Sequence, residues 1–337
     1  MPSPIPVSRL LPKDLYPYLD IGTCSSPLTR HSDGSTLQVP VQRLHGRVAS
    51  RLWSSVIYWK ELRSMQPVGS GGFGSVYKVE YLGETVALKK VKKCTKNKLA
   101  SRQSFWAELN AAHLRHRNVV RVIAATTCVP ADFEDESSIG TILMEFVGSR
   151  NLQQIIYGCA ELGEDRWLRY STDIAHGLQF LHSHSIVHLD IKPANVLVSG
   201  EDVCKIVDFG CSLKVDRCCE TSTITPLLSH MGGTYTHRAP ELLKGEEVSP
   251  KADIFSFGIT LWQLITREQP YTGDRQHVVY AVVAYNLRPP VQDQPVFRSE
   301  QGRLCRTLLS RCWSGEVRCR PTAQELLPYL EQVRSHI

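Results

Sequence analysis

A short polar run from His188 to Asn195 carries residues suited to phosphate chemistry. Within it, Asp190 could accept a proton from an attacking hydroxyl, and Lys192 could offset charge on a transferring phosphoryl group. Asn195 could supply a neutral oxygen ligand to Mg²⁺. Pro193 favours a loop over a regular helix or strand at this point. Taken alone, the run could also be an ordinary polar loop, so partner motifs elsewhere must decide.

The first partner motif is a glycine-rich stretch from Gly69 to Gly74. Gly69, Gly71 and Gly74 have the spacing GxGxxG, and apolar residues alternate with polar ones from Tyr77 to Tyr81. A dinucleotide-binding fold needs a helix after these glycines, whereas alternation predicts a strand. The pattern therefore predicts a glycine hairpin whose backbone amides approach nucleotide phosphates, with Val76 packed on the base.

The next strand, Thr85 to Lys89, ends in a lysine that could neutralise phosphate charge. The alternative for Lys89 is a solvated strand end, because several other lysines follow it closely. Glu108 is the only acid between Lys98 and His116 and lies in a stretch with helical spacing of apolar residues. Glu108 is therefore the predicted ion-pair partner of Lys89.

Two helical patterns frame the polar run. Apolar residues from Trp167 to Leu181 lie on one face of a predicted helix that leads to His188. Downstream, Ser249 and Pro250 form a predicted N-cap and first residue for a helix over Ile254 to Ile265, which is apolar almost all round. This second helix should form the core of its lobe.

A second metal-ligand candidate lies between those helices. Ile206 and Val207 form the end of an apolar strand, and Asp208, Phe209 and Gly210 follow directly. Asp208 could bind a divalent cation together with Asn195.

The composition narrows the class of protein. A chain of 337 residues with 42% hydrophobic and 21% charged residues can bury a substantial core. The net charge of +6 comes without a basic stripe interleaved with aromatics, so nucleic acid is not an expected partner. Its 11 cysteines include no CxxC pair, which favours a reducing compartment. No apolar signal peptide and no membrane-spanning run are apparent, so we expect a cytoplasmic protein without membrane contact.

The motifs occur in the order Gly-rich hairpin, lysine strand, polar run, Asp-Phe-Gly, and a final segment from Gly232 to Glu241. This ordered set resembles the eukaryotic protein kinases over about Leu62 to Leu330. The resemblance implies an α+β, bilobal kinase fold. Its domain, residues 57–335, would comprise a small antiparallel β-rich N-lobe with one main helix (57–147) and a mainly helical C-lobe (148–335). Residues 1–56, rich in Pro and Ser, are predicted to form an extension.

The resemblance also implies roles for individual residues. Asp190 would be the catalytic base, with Lys192, Asn195, Lys89 and Glu108 as the other catalytic residues. Asn195 and Asp208 would bind Mg²⁺, and Lys89 would also bind ATP. The remaining ATP-binding positions are Val68, Gly69, Ser70, Gly71, Gly72, Phe73, Gly74, Val76, Ala87, Met144, Glu145, Val147 and Leu197. Met144 would limit the depth of the adenine pocket, and the backbone of Glu145 and Val147 would bind adenine. Glu241 and Arg320 would form a buried ion pair, and Asp253 would begin the helix that anchors the catalytic loop.

Over the whole chain the sequence is similar to the Mos group of these kinases, including the proline-rich start and the order His188, Leu189, Asp190. Lys192, two residues after the base, is typical of serine/threonine kinases. The resemblance implies a cytoplasmic, monomeric kinase that phosphorylates MAP kinase kinase during oocyte meiotic maturation and arrest. A pseudokinase scaffold and a tyrosine or dual-specificity kinase are the alternatives. The first is disfavoured because Lys89, Asp190, Asn195 and Asp208 are all present, the second by Lys192.

Four departures from the family pattern carry their own predictions. Leu189 replaces an arginine that usually pairs with a phosphate on the activation segment, which predicts activity without that phosphate. The distance from Glu108 to His116 is one residue short, which puts the Lys89 pair in question. His237 stands where Tyr or Phe is usual, beneath the substrate site. Cys211 could react with electrophiles, but an inert packed thiol is the favoured interpretation.

Overall fold

The computed structural model describes residues 54, 56–71, 74–92, 98–130, 138–215, 234–292 and 294–336. These form a small β-rich lobe followed by a larger helical one, which confirms the predicted fold class. The strands of the first lobe are β1 (Leu62–Ser70), β2 (Gly74–Tyr81), β3 (Glu84–Lys92), β4 (Val122–Thr126) and β5 (Ser138–Glu145).

The five strands form one antiparallel sheet in the order β1-β2-β3-β5-β4. Leu82 and Gly83 both have positive φ, 53° and 80°, so a two-residue turn of the type that suits hairpin twist joins β2 to β3. This turn fixes the register that pairs Val76 with Lys89. The lysine is thereby placed beside the glycine hairpin.

The main helix of this lobe, α1 (Lys98–Glu108), contacts β3 and β5, and Phe105 on it is buried. A single turn of 3-10 helix, Leu109–Ala111, continues from its end. Glu108 is thus the last residue of α1 and faces the interior with only 2% of its surface exposed.

The described chain already contacts the sheet at Ser54, within the range predicted to be extension. Ser54 donates to the carbonyl of Ile123 and accepts from the N–H of Ala125, both at 3.1 Å, which adds a parallel bridge beside β4. Ile57, which is 5% exposed, packs into the apolar cluster on that side of the sheet. The domain boundary at residues 56 and 57 stays a prediction.

The second lobe is built around two buried helices, α3 and α5. Its helices are α2 (Leu152–Ile156), α3 (Glu164–Ser183), α4 (Pro240–Lys244), α5 (Lys251–Thr266), α6 (Arg275–Ala284), α7 (Glu300–Cys312) and α8 (Ala323–Arg334). As the apolar spacing predicts, Trp167, Ile174 and Leu181 are all buried on one face of α3. Every residue of α5 from Ala252 to Leu264 is buried, because the helix is surrounded by the rest of the lobe.

The predicted start of α5 was wrong by one residue. Pro250, not Ser249, is the N-cap, and no side chain caps the helix. Backbone bonds from Ala252 to the carbonyl of Ser249 and from Asp253 to that of Pro250 close the first turn instead. The hydroxyl of Ser249 is buried and does not take the capping role that its residue type suggested.

Five short strands of the second lobe flank its polar loops. They are β6 (Arg150–Asn151), β7 (Ile186–Val187), β8 (Val196–Val198), β9 (Cys204–Ile206) and β10 (Leu213–Lys214). Strand β8 pairs with β9 and with β6, and β7 pairs with β10. The pairing of β8 with β9 brings the polar run that precedes β8 next to the Asp-Phe-Gly segment that follows β9. Within the described residues, none of the helices is both long and apolar enough to span a bilayer.

Candidate active site

Lys89, Glu108 and Asp208 meet between the two lobes, although they are far apart in sequence. Lys89 Nζ donates to Asp208 Oδ1 at 2.8 Å and to the carboxylate of Glu108. Glu108 Oε2 in turn accepts from the backbone N–H of Phe209 at 3.1 Å. The expected ion pair is therefore present and is joined by the candidate metal ligand.

The three charges shift one another's pKa values. Burial acts to lower the pKa of Lys89, but the nearby carboxylates of Asp208 and Glu108 outweigh it and raise that pKa above its usual value. Burial also raises the pKa of Glu108, and Asp208 adds to this while Lys89 opposes it. For Asp208, burial is outweighed by the attraction of Lys89, which lowers the pKa below the usual range. Lys89 therefore stays protonated and Asp208 stays ionised.

The short spacing after Glu108 does not prevent this arrangement. The chain leaves α1 through the 3-10 turn Leu109–Ala111. A 3-10 helix rises about 2.0 Å per residue against about 1.5 Å for an α-helix, so three residues gain about the rise of one α-helical residue. The ion pair of Lys89 and Glu108 therefore forms with the shorter spacing.

The carboxylate of Asp190 is held by donors on both of its oxygens. Oδ2 accepts from Lys192 Nζ at 2.7 Å and from Asn195 Nδ2 at 2.8 Å, while Oδ1 accepts from the N–H of Thr234 at 3.3 Å. Lys192 Nζ also donates to Thr234 Oγ1 at 2.7 Å. Thr234 belongs to the final motif segment, from Gly232 to Glu241, so the polar run contacts that segment.

Asp253 on α5 anchors the loop that carries Asp190. The backbone N–H groups of His188 and Leu189 donate to its two carboxylate oxygens, each at 2.8 Å. His182 Nε2 lies 2.9 Å from Oδ2, a contact that sequence reasoning missed. Burial acts to raise the pKa of Asp253, but the hydrogen bond and charge of His182 outweigh it and lower that pKa. Asp253 is therefore an ionised acceptor in the interior.

The candidate Mg²⁺ ligands have suitable chemistry and lie close together. Val207 donates its N–H to the carbonyl of Asn195 at 3.0 Å, which brings Asp208 beside Asn195. The Nδ2 of Asn195 is engaged by Asp190, so the amide oxygen is left to accept or to coordinate. A carboxylate and an amide oxygen are the donors that Mg²⁺ prefers, so the residues fit this ion.

The residues expected to surround adenine share one apolar cluster. Val76 from β2, Ala87 from β3 and Leu197 from β8 pack into it with Met144 and Val147. Ala87 pairs with Met144 across β3 and β5. The N–H of Glu145 donates to the carbonyl of Arg121 at 2.9 Å, which leaves its own carbonyl as the group that could accept from adenine.

The glycines of the hairpin differ in why they lack side chains. A Cβ on Gly69 or Gly71 would have no heavy atom within 4 Å, so the space beside them is open to a ligand. A Cβ on Gly74 would lie 2.3 Å from the carbonyl oxygen of Lys90, so close approach of β2 to β3 requires glycine there. The expected approach to phosphates is therefore open at the first two positions.

A buried ion pair joins Arg320 to Glu241 within the second lobe. Arg320 donates from Nη1 and Nη2 to Oε1 and Oε2 of Glu241 at 2.6 and 2.7 Å, and Arg320 is 1% exposed. The guanidinium carbon also lies 5.2 Å from the ring centre of Phe255 on α5. This bidentate pair ties α4 to the segment before α8.

Comparison with known proteins agrees with this geometry. Residues 62–329 match the family described as Protein kinase domain. The chain belongs to the protein kinase family. Within it, the chain is 54% identical to the serine/threonine-protein kinase mos of Xenopus laevis, over 98% of this chain and 93% of that protein. It is 49% identical to the mos kinases of Gallus gallus and Mus musculus, with 99 to 100% of both chains covered.

In this kinase, side-chain hydrogen bonds connect His237, which was expected beneath the substrate site, to Gln263 and Tyr157. His237 Nε2 lies 2.6 Å from Gln263 Oε1 on α5, and Gln263 Nε2 donates to the hydroxyl of Tyr157 at 2.6 Å. Burial lowers the pKa of His237 to about 4, so the ring is neutral at physiological pH. Sequence reasoning singled out His237 but missed Gln263 and Tyr157, which carry no motif.

Cys211 of this kinase is buried, 4% exposed. Burial raises the pKa of its thiol to about 12, and the charges of Asp190 and Asp208 add to the effect. A thiol with this pKa holds almost no thiolate at neutral pH, which favours the inert interpretation.

Four residues of the predicted motifs lie outside the described residues: Gly72, Phe73, Gly232 and Gly233.

Proposed function

We propose that this serine/threonine kinase uses Mg²⁺ and ATP to phosphorylate MAP kinase kinase, as a cytoplasmic monomer acting in oocyte meiotic maturation and arrest. The observation that carries the phosphotransfer proposal is the carboxylate of Asp190, which accepts hydrogen bonds from Lys192 and Asn195, while Asn195 is bonded to the residue before Asp208. The names of the mos relatives support serine/threonine specificity, and the similarity extends along almost the whole chain.

Each residue of the site has a defined task in this proposal. Asp190 accepts the hydrogen of the incoming Ser or Thr hydroxyl and orients its oxygen. Lys192, bonded to both Asp190 and Thr234, carries positive charge to where the transferring group gains negative charge. Lys89, kept protonated by its two carboxylates, is placed to bind the α- and β-phosphates.

Mg²⁺ would be held by Asn195 and Asp208, where it supplies charge neutralisation to the phosphates when bound. In this proposal Lys89, which forms ion pairs with both Asp208 and Glu108, leaves Asp208 for the phosphates when the nucleotide binds, while Glu108 keeps it in position. Positioning and electrostatics, rather than covalent chemistry by the protein, then supply most of the acceleration.

The decisive experiment compares radiolabelled phosphate transfer by the wild type and by Asp190→Asn. The acceptor is a kinase-inactive MAP kinase kinase, which cannot label itself. A loss of about a thousandfold in kcat is expected, which corresponds to about 4 kcal/mol of transition-state stabilisation. Asp165→Asn is the matched control, because Asp165 is an exposed residue of the first turn of α3.

Equal phosphate transfer by Asp190→Asn and the wild type would overturn the catalytic assignment of Asp190, and absence of transfer by the wild type to any protein of a panel would favour the scaffold alternative. The labelled residues distinguish the remaining alternative: phosphoserine and phosphothreonine support the proposal, while phosphotyrosine contradicts it. If the wild type labels other proteins but never MAP kinase kinase, the proposed substrate is wrong and the catalytic residues stand.

A further inference from the structure

Ser212, two residues after the Asp-Phe-Gly segment, is bonded to the end of α1. Its hydroxyl donates to the carbonyl of Ala107 at 2.9 Å. Ala107 belongs to the last turn of α1, where the carbonyls have no partners within the helix. Asn110 Nδ2 donates to the hydroxyl of Ser212 at 3.1 Å and to its carbonyl at 3.3 Å. Because Ala107 and Asn110 are three positions apart, they lie on the same face, and one serine reaches both.

A second set of bonds joins the same segment to Glu108. The N–H of Ser212 donates to the carbonyl of Phe209 at 2.8 Å, and the N–H of Phe209 donates to Glu108 Oε2 at 3.1 Å. The segment and the helix are also in close contact, since a Cβ on Gly210 would lie 2.6 Å from Ser104 Oγ. Glu108 is therefore held through its own carboxylate and through the helix turn that carries it.

The position of Glu108 matters because its carboxylate binds Lys89. When Lys89 leaves Asp208 for the phosphates, as in the proposed function, Glu108 is the carboxylate that still directs its ammonium group. Leu189 offers no guanidinium through which a phosphate on the activation segment could order this region. The bonds of Ser212 to α1 need no phosphate, because both partners belong to the chain itself.

We propose that Asn110 and Ser212 are positioning residues, which hold the end of α1 so that Glu108 stays bonded to Lys89 during phosphate transfer, a role that rests on the proposed function. Both act through Glu108 and neither carries out a step of the reaction. Residues that only stabilised the fold would leave the kinetics of the folded enzyme unchanged.

The test measures kcat/KM for ATP in two single variants, with the protein that the wild type labels best as the acceptor. Ser212→Ala removes the hydroxyl, and Asn110→Leu keeps the approximate size of the side chain but removes the amide. We expect each variant to lose about three- to tenfold in kcat/KM. A tenfold loss corresponds to about 1.4 kcal/mol, which is near the upper end of the net contribution of one hydrogen bond.

A variant of Glu108 separates positioning from stability. If Ser212 acts through Glu108, adding Ser212→Ala to Glu108→Gln should lower kcat/KM by less than about twofold further, because the charge that the serine positions is already absent. If Ser212 acts independently of Glu108, the two losses should multiply.

Ser171→Ala is the matched control. Ser171 is a buried serine of α3 whose hydroxyl donates to the carbonyl of Trp167 at 2.8 Å, so the variant loses the same kind of bond in the second lobe. It should keep the wild-type kcat/KM, even where its melting temperature falls. Thermal melting of every variant shows that each is folded at the assay temperature.

Wild-type kcat/KM in Ser212→Ala and Asn110→Leu would overturn the proposal. A multiplicative loss in the Glu108→Gln background, or an equal loss in Ser171→Ala, would also overturn it. Failure of the proposed function looks different, since the wild type would then transfer phosphate to no protein of a panel. In that case the variants are compared by their dissociation constants for Mg²⁺ and ATP together. These should rise in Ser212→Ala and Asn110→Leu but not in Ser171→Ala, and unchanged constants would reject the positioning role.

Discussion

Leu189 donates its backbone N–H to Oδ1 of Asp253 at 2.8 Å, with its own φ at 66° in the left-handed region. A branched residue rarely adopts this conformation without support from its surroundings. Here the carboxylate of Asp253 supplies that support, and the leucine side chain packs against the core. Leu189, the residue before Asp190, is therefore held by the second lobe itself.

The first prediction concerns activation. Leucine offers no guanidinium to a phosphate on the activation segment, so the anchored loop should be active without one. A variant with Ala at Thr221, Ser222, Thr223, Thr225 and Ser229, which lie outside the described residues, should keep kcat within about threefold of wild type. Phosphatase-treated wild type should behave likewise in a phosphate-transfer assay. Loss of activity in either sample would contradict the prediction.

The second prediction concerns the buried pair of Arg320 and Glu241. Arg320→Met leaves the carboxylate of Glu241 buried without its partner and should destabilise the fold by about 3–5 kcal/mol. The double variant Glu241→Leu with Arg320→Met removes both charges and should recover most of that loss. Urea denaturation measures both. Equal instability of the single and double variants would show that shape rather than charge is limiting.

The third prediction is a pH dependence of stability from His237. Because its folded pKa of about 4 lies below the ordinary 6.5, the unfolded chain binds more protons between these values. The stability contributed by the neutral ring is full above pH 6.5 and is lost as the pH falls towards 4, by up to about 3 kcal/mol. His237→Phe should show a shallower fall in unfolding free energy over this range. Parallel curves for the two proteins would rule out this role.

The fourth prediction concerns thiol reactivity. With its pKa raised to about 12, Cys211 should react with iodoacetamide far more slowly than the exposed Cys128, Cys159 and Cys319. Peptide mass spectrometry after timed labelling of the native protein gives the four rates. Labelling of Cys211 at the rate of the exposed thiols would show that the segment opens to solvent.

Much of the fold could be predicted from the sequence, because its signals are local. Alternation along β2, the positive-φ turn at Gly83 and the apolar spacing of α3 each act over a few residues. The order of the motifs then indicated the protein kinase family. The start of α5 was missed by one residue because backbone bonds from Ala252 and Asp253, rather than a serine hydroxyl, close its first turn.

By itself the sequence determined which residues could do the chemistry: Asp190, Lys192, Asn195, Lys89 and Asp208 stand in motifs whose residue types suit phosphate and Mg²⁺. Only the tertiary structure decided what holds them. His182 meets Asp253 across 71 positions, and His237 meets Gln263 across 26. Such partners have no periodic signal, since they depend on how α3 and the turn before α4 pack against α5. The exposure of α6 was likewise decided by packing, which buries Val278 and Val282 but leaves Tyr280 60% exposed.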